Sequence, residues 1–153
     1  MSSIKKWATP TWIFFHTFAY KINEKFYFEN KKGCLDIIKN ICAALPCPHC
    51  RNHAIIFMKT VNINNVPNKT KLIEMLFAFH NQVNQRIGKA IFKKESLEIY
   101  KNYHLSSTIV NFRNGFAKRY GYLLNGYISN EMSRKRIVND TDKWLKSNWK
   151  YFN

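Results

Sequence analysis

With 153 residues, 46% of them hydrophobic and 16% aromatic, the chain is sized for one domain with a sizeable core, folding alone or as a simple oligomer. No run approaches the roughly 18 uninterrupted apolar residues of a membrane span, and "MSSIKKWATPTW" lacks the apolar core and cleavage site of a secretory signal, so the expected address is cytoplasmic. The net charge of +16 draws a protein towards phosphate, but 16 Lys/Arg against 6 Asp/Glu in residues 1–104 and 9 against 3 in 105–153 spread it along the chain, as AT-biased codon use would.

Helical spacing dominates and period-two alternation is nearly absent, which predicts an all-α class. Thr9 and Pro10 read as the cap and first residue of a helix carrying Trp12, Phe15, His16, Ala19, Ile22 and Phe26. A second helix holds Cys34, Leu35, Ile38, Ile41, Cys42 and Leu45 and stops at Pro46. Pro48 opens a third, through about Met58. "VNINNVPN" is a turn, and Asn68 caps a fourth helix running to about Gly88 with Leu72, Leu76, Phe79, Val83 and Ile87 on one face. A short fifth follows Ser96, completing a four-helix bundle plus one.

Residues 105–153 read as a mostly helical, aromatic and basic extension packed on the bundle. "NGFAKRYGYLLNGYISN" mixes aromatics with three glycines, "SRKRIVND" at 133–140 reads as a solvated helix end, and Trp144, Leu145, Asn148, Trp149 and Phe152 share one helical face.

The chemistry concentrates in "LPCPHCRNHA", residues 45–54. Cys47 and Cys50 have zinc-knuckle spacing, with His49 or His53 as a third ligand, but a closed zinc site wants four ligands and no second C-x-x-C or H-x-x-x-H exists. A redox pair instead wants one cysteine at a helix N-terminus, where free amides stabilise thiolate, and the second one turn inside. Cys47 before Pro48 meets that geometry, and Arg51 adds positive charge. Two buried cysteines beside a turn would explain neither the prolines nor the cationic neighbours.

A second motif, "FAFHNQVNQRIGK" at 77–89, resembles the Erv/ALR family of FAD-linked sulfhydryl oxidases, whose H-N-x-V-N-x-x-L-G-K is met by His80, Asn81, Val83, Asn84, Ile87 (for leucine), Gly88 and Lys89. The family's W-G-x-x-x-W-x-x-x-H appears as Trp7, Trp12 and His16, with Ala8 for glycine. The resemblance covers residues 5 to about 104, and its cysteine-poor form looks most like versions carried by large cytoplasmic DNA viruses. It implies an oxidase domain over 5–104 with FAD as cofactor, held by Trp7, Trp12, His16, His53, His80, Asn81, Val83, Asn84, Ile87 and Lys89. It implies catalysis by Cys47, attacked by substrate thiolate, and by Cys50, next to the flavin, with O2 reduced to H2O2. Protein dithiols or a thioredoxin-like relay are the implied partners, with a homodimer as the assembly and disulfide formation in virion proteins as the role. No metal is expected.

Cys34 and Cys42 lie eight residues apart, about 12 Å on one helix, too far to pair. Cys42 reads as core and Cys34 as surface. Two other classes compete with the oxidase: a basic nucleic-acid-binding module and a zinc-stabilised helical module. Because the resemblance stops near Tyr103, residues 105–153 are expected to be dispensable for flavin chemistry but not for partner choice or assembly.

Overall fold

The computed structural model describes residues 4–118, 120 and 130–153, and among them the regular structure is helical apart from one isolated antiparallel bridge, as the all-α reading expects. Helix α1 (Ile4–Lys21) is the axis of the molecule. It does not begin at Pro10, which lies inside it. Proline has no N–H to offer the carbonyl one turn back, here that of Lys6. The freed Lys6 oxygen faces Gly115 of helix α6 (Leu105–Phe116), where any Cβ would overlap it. Burial of Trp7 in the core then rewards the extra turn, and Thr11 Oγ1 donates to the Trp7 carbonyl at 2.6 Å.

The expected continuation of α1 to Phe26 is broken at Asn23, whose side chain accepts from Phe26 N at 2.9 Å and caps a separate short helix, α2 (Glu24–Glu29). The break is held by the far end of the chain: Ile22 bridges to Phe152, and Asn23 N donates to the Tyr151 carbonyl at 2.7 Å. Helix α3 (Lys31–Cys42) ends three residues before Leu45, although Ala44 and Leu45 stay buried in the connection. Helices α4 (Pro48–Thr60) and α5 (Lys69–Arg86) follow, the second capped by Asn68 as expected, its side chain accepting from Lys71 N at 2.9 Å. The fifth helix is a 3-10 run, Lys94–Asn102, that lays Leu97 and Tyr100 against α1.

The C-terminal third is mostly helical and packed on the bundle, as its sequence reading expects. Residues 119 and 121–129 of the glycine-rich stretch lie outside the described residues. Helix α6 packs along α1, with Phe112 stacked on Phe14 at 4.8 Å and Phe116 on Phe112 at 5.0 Å. Helix α7 (Asn130–Asn148) and a 3-10 turn, Trp149–Tyr151, bring Trp144 and Phe152 against Phe18 and Tyr151 onto Phe26 at 4.2 Å. Residues 105–153 thus share one core with the preceding helices, which removes the basis for expecting the chain to manage without them.

Two further expectations are corrected. Cys34 is fully buried, not at the surface, because Trp144 of α7 and Tyr27 of α2 cover the first turn of α3, and burial pushes its thiol up to about 12. The basic run at 133–140 is not wholly solvated either. Arg134 is buried and donates to the carbonyls of Phe116 and Lys118, at 2.6 and 2.7 Å, closing the C-terminal end of α6 where carbonyls lack helical partners.

Candidate functional site

Helices α1, α4 and α5, with residues 92–103, enclose a cavity of about 520 Å³, of the size that holds a cofactor. Trp7, Trp12, Cys50, His80, Val83, Asn84, Ile87 and Lys89, all expected from the sequence, line it. Trp12 and His80 are stacked at 4.0 Å and 4° between planes, forming a flat wall. The wall exists because His80 is one turn past Leu76, whose buried side keeps α5 against α1.

His16 is placed differently from the expectation. It is buried behind His80, with its Nε2 2.9 Å from His80 Nδ1, one ring donating and the other accepting, and it stacks on Tyr100 at 4.7 Å. It holds the wall from behind instead of lining the cavity. Burial, reinforced by His80, pushes His16 down to about 3, and burial with Lys89 nearby pushes His80 down to about 4, so both rings are neutral at pH 7. Unfolded imidazoles take up protons below about pH 6.5 and this pair does not, so stability present at pH 7 is lost progressively as pH falls from about 6.5 towards 4. The melting temperature of the oxidised protein is therefore expected to drop between pH 6.5 and 5, above the carboxylate range, and to drop less steeply in His16→Asn. An unchanged slope would locate the proton uptake elsewhere.

Asn81 is also off the cavity. Its carboxamide donates to the Phe92 carbonyl at 3.0 Å and accepts from Phe92 N at 2.7 Å, a two-bond clamp that carries the Phe92 ring to the site. Gly88, at φ +77, takes the left-handed turn that ends α5 and sets Lys89 at the cavity rim, with Lys89 N bonded to the Asn84 carbonyl at 2.8 Å. His53 lies outside the cavity, on the other side of Val83 and Arg86, and its ring meets His49 edge-on at 4.6 Å.

The two cysteines divide as helix geometry demands. Cys47 is the N-cap of α4, and its sulfur accepts from Cys50 N at 3.2 Å. The sulfurs lie 2.6 Å apart, close enough for a disulfide to form without moving the backbone. Only Cys50 belongs to the cavity wall; Cys47 is partly exposed beyond it. In the dithiol they share one negative charge. The hydrogen bond from Cys50, with the cap amides, pushes Cys47 down to about 6, while the same bond and burial push Cys50 up. The cation that acts on Cys50 is Arg86, not Arg51.

Sequence reasoning also missed Lys5, Cys42, Arg86, Phe92, Tyr100 and Tyr103 in the lining. Arg86 had a legible signal, standing three residues after Val83 on the same stripe of α5. The aromatic residues of 92–103 had none, since their approach depends on the Asn81 clamp. Among the described residues, no group of three His, Cys, Asp or Glu is placed to hold a metal ion.

Comparison with known proteins agrees with this geometry. A family model described as the Erv1 / Alr family matches residues 9–104. A "FAD-linked sulfhydryl oxidase" of African swine fever virus is 30% identical over 109 residues, covering 71% of this chain and 88% of the viral protein. Its counterpart from another isolate is 31% identical over 103 residues, 67% of this chain and 83% of its own. "FAD-linked sulfhydryl oxidase ERV1" of Arabidopsis thaliana is 27% identical over 88 residues, 58% of this chain and 46% of the plant protein. No solved structure matches significantly. With the two signature segments meeting at one cavity and the family match spanning most of the described fold, the chain belongs to the Erv1/Alr family.

Proposed function

We infer that the chain is an FAD-linked sulfhydryl oxidase that forms disulfides in protein dithiols, and that Cys47 and Cys50 are its redox pair. The observation that carries this reading is the split between them: Cys50 lines the flat-walled cavity and Cys47 is presented outside it at a helix N-terminus. The cavity fits FAD in kind. A planar ring suits the Trp12–His80 wall, and Lys5, Arg86 and Lys89 offer cations to a diphosphate. Bound FAD supplies the two-electron acceptor and the delivery of those electrons to O2, giving H2O2.

The chain's own residues do the thiol chemistry. A substrate thiolate attacks Cys47 Sγ, a substrate–Cys47 bond forms, the Cys47–Cys50 bond breaks, and Cys50 leaves as thiolate. The substrate's second thiolate then displaces Cys47, which departs carrying the charge that the cap amides hold, and the substrate is released oxidised with both its electrons left on the pair. Once Cys47 is in the mixed disulfide, its upward push on Cys50 is gone, and what remains is burial opposed by Arg86.

Among the described residues no helix is long and apolar enough to cross a membrane. The viral relatives support placement in host cytoplasm and a role in disulfide formation for virion proteins, directly or through a thioredoxin-like relay. A homodimer is the assembly that we propose for the chain. The dispersed positive charge supports nucleic-acid contact only as a secondary property.

The purified protein is expected to be yellow, with about one FAD per chain. His80→Ala with Lys89→Ala is expected to lose most of it, read as the ratio of flavin to protein absorbance. Full retention would show that the cavity is not the flavin site.

A further inference from the structure

Beside the flavin cavity, on the other side of Phe79, Val83 and Arg86, a second hollow of about 290 Å³ runs between the outer faces of α4 and α5. Its floor is Phe57, Phe79 and Val83, and its rim carries Ile56, Gln82 and Arg86. Ile56 is 62% exposed, an isoleucine in water on the helix that begins with the redox pair. No Asp or Glu occurs in α4 or in residues 76–86 of α5, whereas Arg51, Lys59 and Arg86 do.

We propose that this groove is the docking site for the client segment that carries the reactive thiol, and that it selects carboxylates close to the client cysteine and an apolar side chain farther from it. The proposal rests on the oxidase reading above. Its register follows from helix geometry. Ile56 stands nine residues from Cys47, about 14 Å along α4 and two and a half turns around it, so a client passing from one to the other covers roughly 17 Å at about 3.3–3.6 Å per residue. The apolar anchor therefore lies about five residues from the client cysteine. The groove's apolar floor takes that side chain, the Gln82 and Gln85 carboxamides face the client backbone, and Arg86 with the uncompensated charge of α4 meets the carboxylates. A small dithiol reaches Cys47 without using any of this.

The test compares dithiothreitol with a synthetic C-x-x-C peptide bearing two Asp directly after its second cysteine and Leu five residues after it. Ile56→Glu and Gln82→Ala are expected to leave dithiothreitol oxidation unchanged and to raise KM for the peptide about tenfold in Ile56→Glu. Exchanging the peptide's Leu for Ser is expected to raise KM similarly in the wild-type protein and to have little effect in Ile56→Glu, whereas exchanging its Asp pair for Lys is expected to raise KM in both. An unchanged peptide KM in the protein variants overturns the docking site. So does a halved mass of Ile56→Glu by light scattering, which would make this face a contact between two copies. Absence of dithiothreitol oxidation in the wild-type protein would instead overturn the oxidase reading.

Discussion

Serine in place of Cys47 or of Cys50 is expected to lower oxygen consumption with dithiothreitol by on the order of 10³-fold or more while FAD stays bound. Each sulfur does something the other cannot. In the proposed reaction Cys47 is the electrophile that receives the substrate thiolate, and its position as the N-cap of α4 lets the Cys50 amide stabilise the charge when it leaves. Cys50 lines the cavity wall, where the proposed reaction needs the second sulfur. The two variants are expected to differ in colour. Cys47→Ser keeps a sulfur against the flavin and should develop a long-wavelength absorbance band as Cys50 ionises at alkaline pH, with Arg86 favouring the thiolate. Cys50→Ser keeps only the outer sulfur and should lack the band. The reverse assignment of colours would exchange the roles of the two cysteines, and residual turnover near wild type in either variant would remove the pair from catalysis.

A chain ending at residue 104 is expected to be insoluble or to lack FAD. The tail covers Phe14 through Phe112, Phe18 through Trp144 and Phe152, Ile22 through Phe152, and Phe26 through Trp144 and Tyr151. Four large side chains exposed at about 1.5–3 kcal/mol each amount to about 6–12 kcal/mol, as much as the whole stability of an ordinary domain. Two of the four, Phe14 and Phe18, sit on α1, the helix that also presents Trp7, Trp12 and His16, so loss of the cover is felt at the cavity wall. Soluble truncated protein with a full flavin complement and a cooperative melt would show that the oxidase core is complete without residues 105–153.

Local signals were readable from the sequence wherever the physics is local. The caps Cys47 and Asn68 sit at the ends of α4 and α5 because a side chain reaching amides two or three residues on needs nothing else. His80, Asn84 and Ile87 fall on one side of α5 because of 3.6 residues per turn, and the family motifs that contain them were enough to name the cofactor. Tertiary structure decided the rest. Pro10 lies inside a helix because Gly115, over a hundred residues away, accommodates the carbonyl it leaves unpaired. His16 lies behind His80, not in the cavity, because helix crossing brings together residues 64 apart. Asn81 turns from the cavity to clamp Phe92, and Arg134 leaves solvent to close α6. In each case a polar group's partner comes from a distant part of the chain, and periodicity describes only which face a residue occupies, never what that face will meet.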